Sequence, residues 1–160
     1  MKLFKDKIKD YFRWVKGTEL VKLDDIDVSE DPVRPELTLG WRISKGRKIF
    51  GLKYDNEIEG IICIAFTNDI PCNVKELDMM SELADIKDEK NIAIAYTVWS
   101  RKRGAGREIM NKVIEYAKEN KVKRLVTLSP LTPMATHYHI RNGAKQISIN
   151  EDTQNFEYTI

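Results

Sequence analysis

The sequence predicts one α/β (α+β) domain, in which a mixed and mostly antiparallel sheet carries helices on its faces. Its 160 residues suit one domain of ordinary size and are enough to bury a sizeable core. Short apolar segments between polar turns indicate strands, and longer segments with apolar residues every three or four positions indicate helices. They follow one another as a hairpin, a strand, a helix, a strand, a helix and two final strands, an order that favours a mixed sheet.

The chain begins with a predicted amphipathic helix at residues 1–16, ahead of the domain proper at residues 17–160. Its apolar residues recur at helical spacing, and Gly17 follows as a residue that ends helices. We interpret this helix as docked on the domain by its apolar face, and binding to a membrane surface or a partner is the alternative. Residues 23–35 are acidic and end in two prolines, so we expect a surface loop or a short helix, and the sequence indicates no chemistry there.

Two strands are predicted next, at residues 47–54 and 58–67, and a short polar turn joins them as an antiparallel hairpin. The second strand is apolar almost throughout, as a central strand buried on both faces would be. A polar and weakly helical stretch at residues 73–90 separates it from a further strand at residues 91–99.

The remaining elements continue the same alternation. An amphipathic helix is predicted at residues 104–120 and a strand at 123–128. Thr132 and Pro133 are residue types favoured at the N-cap and the first position of a helix, and Gly143 suits the residue after its end. Two strands, at residues 144–149 and 154–159, complete the sheet.

The near balance of charge excludes several classes of function. With 27 basic and 25 acidic residues the net charge is +2, which argues against a dedicated nucleic-acid binder or a polybasic membrane binder.

Cys63 and Cys72 form neither a disulfide framework nor a zinc-binding pattern. The first residues lack the apolar stretch of a signal peptide, and no segment approaches the roughly 18 apolar residues of a membrane span. We therefore expect a cytoplasmic protein that binds neither nucleic acid nor membrane.

The most informative local motif is Arg101-Lys102-Arg103-Gly104-Ala105-Gly106, which lies between a strand and a long helix. Glycines let the backbone approach a ligand, and the first turn of a helix offers unpaired N–H groups at its positive end. These features are typical of a pyrophosphate site. Residues 101–124 hold nine lysines and arginines against three glutamates, so one part of a nearly neutral chain is basic. The alternative is a basic helix start with glycines for turning, since neither a Walker loop nor a complete Rossmann fingerprint is present.

A second group of candidate residues follows the strand at 123–128. Ser129 stands where this strand ends and a helix is about to begin. His137 and His139 are the only histidines of the chain, and positions two apart on a helix point about 200° apart, so one of them can face a site. A metal site would need further ligands that the sequence does not supply.

These motifs resemble the GCN5-related N-acetyltransferase (GNAT) superfamily. The loop at 101–106 is similar to its CoA-binding pattern R/Q-x-x-G-x-G/A, and the element order from about residue 36 onward is similar to its fold. Within the superfamily, segments 128–130 (LSP) and 138–144 (YHIRNGA) resemble the LSP and FHLRNGA segments of the malonyl-CoA decarboxylase catalytic domain. Many acetyltransferases carry a tyrosine general acid four residues before the glycine of that helix, where this chain has His139. The decarboxylase family also has a long insertion between the serine and the histidine, which are separated here by nine residues.

The resemblance implies an acyl-CoA enzyme that uses no metal, with malonyl-CoA or acetyl-CoA as substrate. Ser129 and His139 would be its catalytic residues: Ser129 would bind the malonyl carboxylate or the enolate, and His139, with an unperturbed pKa of about 6.5, would orient the substrate or donate a proton. CoA would lie in a splayed cleft along the strand at 94–99 and the loop that follows it. The residues expected to bind it are Tyr96, Thr97, Val98, Trp99, Arg101, Lys102, Arg103, Gly104, Ala105, Gly106 and Arg107.

Three functions remain open at this point. The first is a malonyl-CoA decarboxylase-like enzyme, and the second is an N-acetyltransferase whose amine acceptor enters near residues 67–80. The third is an acyl-CoA binding module without catalysis. A nucleic-acid module is less favoured, because the basic segment lacks interleaved aromatic residues. The sheet edges or the helix at 1–16 could support a homodimer.

Overall fold

The computed structural model describes residues 17–160, and the predicted helix at residues 1–16 lies outside this range. Eight strands are present in it: β1 (Glu19–Leu23), β2 (Lys48–Tyr54), β3 (Glu57–Thr67), β4 (Ile92–Ser100), β5 (Arg124–Thr127), β6 (Ser129–Pro130), β7 (Lys145–Ile149) and β8 (Thr153–Tyr158). The described helices are α1 (Leu39–Ile43), α2 (Val74–Lys87), α3 (Ala105–Glu119) and α4 (Pro133–Arg141), with a 3₁₀ turn at Val28–Glu30.

The eight strands form one sheet in the order β1-β2-β3-β4-β5-β8-β6, and β7 pairs with β8 outside this path. All pairs are antiparallel except β4 with β5, which confirms the mixed and mostly antiparallel sheet. The hairpin of β2 and β3 turns through Asp55 and Asn56, whose φ values of 48° and 65° are those of a tight primed turn. The central position predicted for β3 is confirmed, since nine of its eleven residues are buried.

Helices cover both faces of the sheet. The apolar face of α3, with Ile109, Met110 and Val113, packs on one face of β2, β3 and β4. Leu77 of α2 belongs to the apolar cluster on the other face. Burying one apolar stripe of each helix supplies the hydrophobic free energy that fixes the helices to the sheet. The two core layers hold β4 rigidly between them.

A cleft opens where β4 and β5 part. The two strands pair only over Ile92–Ala95 and Arg124–Thr127, and the Leu128 N–H donates to the carbonyl of Ala95 at 3.0 Å. At the same level Tyr96 is an extra residue in β4, because neighbouring residues of β3 pair with Ala95 and Thr97 on either side of it. Such a bulge bends a strand and interrupts its ladder. Beyond Tyr96, β4 stays paired with β3 as far as Ser100 but has no strand on its other edge, because the segment after β5 turns away and pairs with β8 as β6.

Candidate active site

The cleft between β4 and β6 has a volume of about 350 Å³ and is lined from four directions. The second half of β4 forms one wall, and Ser129 and Pro130 of β6 form the other. Residues of α4, including Tyr138 and His139, close it on one side, and Gly106 at the start of α3 borders it. The structure therefore brings Gly106 of the predicted loop, the predicted serine and one predicted histidine to the same cavity.

The glycine loop is shaped by two glycines with different roles. Gly104 is the N-cap of α3 and has a φ of 85°, a conformation that L side chains rarely adopt. Gly106 lies against Tyr138, whose hydroxyl donates to the Gly106 carbonyl at 2.6 Å, and an added Cβ would stand 3.1 Å from the tyrosine ring. No side chain caps α3. The Ala105 amide donates to the carbonyl of Lys102 at 3.2 Å, which leaves the amides of Gly106 and Arg107 as those of the first turn without an acceptor among residues 17–160. Ala105, the first residue of α3, is buried beneath them.

Two of the four basic side chains expected to serve phosphate are engaged elsewhere. Arg101 makes a 2.9 Å ion pair with Glu30, and Lys102 lies 3.0 Å from Glu57. These glutamates come from distant parts of the chain, and they offset the charge of the two cations. The role of Arg101 and Lys102 at phosphate stays a prediction, and in this structure both side chains are paired with glutamates.

Arg103 and Arg107 differ from this pair. Both side chains are exposed, and within residues 17–160 neither has an ion-pair partner. They are the cations of the loop that remain available to an anionic ligand near the start of α3.

The β4 residues border the cleft, but their side chains are largely committed to the fold. The Tyr96 ring is buried against Trp41 at a centroid distance of 5.4 Å, and Trp99 packs in the same apolar cluster. The Thr97 hydroxyl donates to Asp31 at 2.9 Å. Val98 is only partly buried. Along the cleft β4 therefore presents mainly its backbone, and its pairing with a ligand stays a prediction.

The acidic segment at 23–35 contains the short 3₁₀ helix Val28–Glu30, in agreement with the alternative of a short helix, but Asp31 after it is not a surface residue. Asp31 is buried and forms a 2.7 Å ion pair with the buried Arg42, and it also accepts from the amides of Val33 and Arg34. Burial acts to raise the pKa of Asp31, but hydrogen bonds from Arg34, Arg42, Val33 and Thr97 outweigh it, and the pKa is lowered. Asp31 is therefore ionised, and it fixes the segment that carries Val33 and Arg34 beside the cleft.

Arg34 crosses the gap between the diverging strands. Its Nε donates to the carbonyl of Tyr96 and its Nη2 to the carbonyl of Leu128, each at 3.0 Å. These carbonyls lie on the two sides of the opening, just beyond the last contact of β4 and β5. Sequence reasoning missed Arg34, and the only signal was an arginine enclosed by Pro32 and Pro35.

Ser129 is 4% exposed and stands at the start of β6. Its Oγ lies 2.8 Å from the Oγ1 of Thr127, which accepts from the amide of Phe156 at 3.1 Å. Ser129 is therefore in hydrogen-bond contact with the buried Thr127, which in turn is hydrogen-bonded to β8. Thr127 was not predicted as a functional residue.

His139 is 5% exposed, whereas His137 is exposed on the outer side of α4. As the helical spacing predicts, the two histidines point in different directions, and only His139 of the two borders the cleft. The His139 ring stacks on Phe156 at 5.1 Å, and its Nδ1 lies 2.8 Å from the hydroxyl of Tyr158. Burial lowers the pKa of His139 to about 4, because the charged form loses its hydration. The assumption of an unperturbed pKa was wrong, and the ring is neutral at pH 7.

The lowered pKa of His139 predicts a pH dependence of stability. The unfolded chain binds a proton at about pH 6.5 and the folded chain only near pH 4, so the contribution of His139 is present above pH 6.5 and is lost as the pH falls. Between pH 7 and pH 4.5 this loss amounts to about 2 kcal/mol. Urea unfolding of the wild type and of His139→Gln at both pH values checks it, since the variant should lose less. Equal losses in the two proteins would contradict the assignment.

The structure also bears on metals and membranes. Within residues 17–160, no three histidines, cysteines or acidic residues are grouped so that they could hold a metal ion. In the same range, no helix has the length and apolarity needed to cross a membrane.

The chain is similar to solved structures of two kinds. A malonyl-CoA decarboxylase from Agrobacterium vitis superposes with a TM-score of 0.59 at 20% identity, over 79% of this chain and 36% of the other. A Bacillus subtilis acetyltransferase in complex with CoA has a TM-score of 0.64 at 9% identity, over 90% and 99% of the two chains. A Campylobacter jejuni N-acetyltransferase, PseH, in complex with acetyl coenzyme A has a TM-score of 0.53 at 17% identity, over 89% and 98%. At these identities the similarity is one of fold.

The lengths covered differ between the two kinds of structure. The chain spans about a third of the decarboxylase chains that it matches first, but nearly the whole of the two acetyltransferases. No curated protein sequence gives a significant match. The model of the acetyltransferase (GNAT) family matches residues 9–143, which is most of the chain and includes the glycine loop, the serine and the histidine. On this match the chain belongs to the acetyltransferase (GNAT) family.

Proposed function

We propose that the protein decarboxylates malonyl-CoA, or a closely related acyl-CoA, to acetyl-CoA and CO₂. One observation carries the proposal: Ser129 and the neutral His139 are both more than nine-tenths buried and both border the same cleft. His139 also stands at the position where the acetyltransferase pattern has its tyrosine acid. A cavity with two neutral polar groups suits a reaction in which negative charge develops on a thioester oxygen.

The arrangement of the cleft supports CoA as the ligand. Beyond Ala95 the edge of β4 lacks a neighbouring strand, so its peptide groups could bond the amides of a pantetheine arm. The first-turn amides of α3, together with Arg103 and Arg107, would hold the phosphates. Two similar structures are complexes with CoA and with acetyl coenzyme A, which agrees with this placement.

The proposed chemistry needs no metal. The bond between the malonyl C2 and its carboxylate breaks, CO₂ leaves, and the electron pair passes to the thioester carbonyl to form an enolate. The enolate then returns its electrons to C2, which takes up one proton from water. Ser129 and His139 would hydrogen-bond the thioester oxygen and stabilise the enolate. Since His139 is neutral at pH 7, we assign it an orienting and hydrogen-bonding role rather than delivery of an imidazolium proton.

The proposal is tested by incubating the protein with malonyl-CoA and following products by mass spectrometry. We expect acetyl-CoA to form, and we expect far less of it with Ser129→Ala. Malonyl-CoA that stays unchanged at micromolar enzyme would refute the proposal. Acetyl-CoA formed at equal rates by the wild type and by Ser129→Ala would place the activity outside this site. Calorimetry with CoA alone tests the binding step separately.

An N-acetyltransferase is the second candidate, and the family and its solved structures favour it. The amine acceptor would enter near residues 67–80. Tyr138, one position from the expected acid, is a poor substitute because its hydroxyl already donates to Gly106. Acetyl-CoA consumption that depends on an added amine would support this candidate. CoA binding with turnover of neither substrate would support a binding module.

The two kinds of basic side chain in the glycine loop predict unequal effects on CoA affinity. We expect Arg103→Ala combined with Arg107→Ala to weaken CoA binding by about tenfold or more, because each loses a charge-assisted contact to phosphate. Arg101→Ala combined with Lys102→Ala is the matched control, with the same change of charge. We expect a smaller effect there, since Glu30 and Glu57 already offset these cations. Calorimetry at low and moderate salt compares the two, and equal effects would indicate an unspecific attraction to the basic segment.

A further inference from the structure

Two buried hydroxyl groups adjoin the proposed catalytic residues, and each has a single acceptor for its proton. Thr127 is fully buried, and Tyr158 is 2% exposed. Thr127 Oγ1 lies 2.8 Å from Ser129 Oγ, and Tyr158 Oη lies 2.8 Å from His139 Nδ1. At both contacts the distance alone allows either atom to be the donor. A buried hydroxyl whose proton finds no acceptor costs about 1–3 kcal/mol, so the full set of partners decides the direction.

At the first contact, the Thr127 oxygen already accepts the amide proton of Phe156 at 3.1 Å. Within residues 17–160, Ser129 Oγ is the one acceptor within reach of the Thr127 proton. If Ser129 donated instead, the Thr127 proton would be buried without a partner. The satisfied arrangement has Thr127 donating to Ser129. The proton of Ser129 is then free, and Ser129 borders the cleft.

At the second contact, the same reasoning applies to Tyr158. In the described part of the chain, the Tyr158 hydroxyl lies 2.8 Å from Nδ1 of His139 and also adjoins the side chain of Asn142. Asn142 acts to lower the pKa of Tyr158, as a donor to the tyrosine oxygen does, so Nδ1 is the acceptor left for the Tyr158 proton. If Nδ1 carried the proton and donated, the Tyr158 proton would be left without an acceptor in the core. The satisfied arrangement has Tyr158 donating to Nδ1, which places the single proton of the neutral ring on Nε2. His139 borders the cleft, and no charged group among the described residues perturbs its pKa.

We propose that Thr127 and Tyr158 are positioning residues that set the proton directions at Ser129 and His139, so that the Ser129 O–H and the His139 Nε2–H both serve as neutral donors to the thioester oxygen. This inference rests on the proposed function for its substrate, but the proton directions themselves are a property of the free protein. Residues of β8 contact both positions. The Phe156 amide donates to Thr127, the Phe156 ring stacks on His139, and Tyr158 lies two residues further along the same strand.

The histidine half is tested by long-range ¹H–¹⁵N correlation spectra of the ¹⁵N-labelled protein at pH 7. The chain has two histidines, and the exposed His137 is an internal reference. His139→Gln assigns the remaining signals. We expect the pattern of an unprotonated Nδ1 and a protonated Nε2 for His139. A protonated Nδ1 in the wild type would overturn this half, whatever substrate the protein uses.

Tyr158→Phe tests whether Tyr158 is the residue responsible. We expect the fraction of the Nε2–H form to fall, because Nδ1 has lost its donor. Tyr138→Phe is the matched control: it removes the same hydroxyl from a ring 4.9 Å from His139, but that hydroxyl donates to Gly106. An unchanged His139 spectrum in Tyr158→Phe would overturn the role of Tyr158. If this variant does not fold, the wild-type spectrum decides alone.

The proton direction between Thr127 and Ser129 is tested first by the exchange rates of the two hydroxyl protons and then by the kinetics of variants. We expect the Thr127 hydroxyl proton to exchange slowly with water and the Ser129 hydroxyl proton to exchange too fast for detection. The reverse order would overturn the assignment. With malonyl-CoA, Thr127→Val should lower kcat about tenfold with little change in KM, and Thr127→Ser should restore it. Full activity of Thr127→Val would also overturn it. If the wild type does not turn over malonyl-CoA, the proposed function fails, and the two spectroscopic tests still decide the inference.

Discussion

Replacing Arg42 with methionine is expected to lower the free energy of unfolding by about 3–5 kcal/mol, which is a large part of the stability of a domain of this size. The cause is the carboxylate that remains. Asp31 and Arg42 have fully buried side chains and lie 2.7 Å apart, so the variant leaves a charge in the core without its counterion. Urea unfolding at pH 7, followed by circular dichroism, measures the loss.

Arg47→Met is the matched control for this prediction. Arg47 is also buried, but its carboxylate partner Asp78 is half exposed and can take water in place of the arginine. We therefore expect a clearly smaller loss than in Arg42→Met. Adding Asp31→Asn to Arg42→Met should recover part of the loss, because it removes the buried charge and keeps an oxygen for the amides of Val33 and Arg34. Equal losses in Arg42→Met and Arg47→Met would contradict the explanation.

The regular elements of this fold follow from local sequence patterns. The continuous apolar run of β3 predicted a buried central strand, and the apolar positions of α3 predicted its packing face. The start of α4 followed from Thr132 and Pro133, and the side chain of Thr132 does accept from the amide of Ala135. In each case the deciding interaction lies within a few residues, so the sequence carries it directly.

The elements that were missed depend on distant partners. The edge strand β1 is short and only half buried, so it lacks a clear alternation, and α1 is a helix of five residues. Asp31 and Arg34 stand in a segment whose composition is that of a solvated loop. Their partners Arg42, Tyr96 and Leu128 are 8 to 94 residues from Arg34 along the chain. No local pattern reveals a buried ion pair of this kind.

The same distinction holds at the site. The glycine loop, Ser129 and His139 were identified from motifs, because their residue types and spacing are themselves the signal. The ion pairs of Arg101 and Lys102 could not be predicted, since their glutamate partners are brought to the loop by tertiary structure. The pKa of His139 depends on burial by α4 and β8, which only the folded chain defines. Motifs therefore identified the candidate residues, while the pKa of His139 depends on packing that only the folded chain defines.

Replacing Arg34 with methionine is expected to affect both stability and ligand binding. The guanidinium donates to the carbonyls of Tyr96 and Leu128, and hydrogen bonds to charged groups contribute about 1.5–3 kcal/mol each. Since the two carbonyls would be left in a largely buried place, we expect the free energy of unfolding to fall by about 3 kcal/mol. Arg34→Lys keeps the charge but cannot reach both carbonyls with one planar group, so its loss should be intermediate.

The effect of Arg34→Met on ligand binding tests whether Arg34 only stabilises the fold or also fixes the shape of the cleft. Arg34 holds the two walls at the point where β4 and β5 lose their own hydrogen bonds, and it fixes the peptide that precedes Ser129. If CoA occupies the cleft as proposed, Arg34→Met should weaken its binding by about tenfold under conditions where the variant remains folded, because the ligand must then order both walls itself. Calorimetry at low temperature measures this affinity. A folded variant that binds CoA as tightly as the wild type would show that α3, α4 and the core keep the cleft open without Arg34. Weaker CoA binding by folded Arg34→Met than by the wild type would instead show that Arg34 keeps the walls of the cleft in place for the ligand.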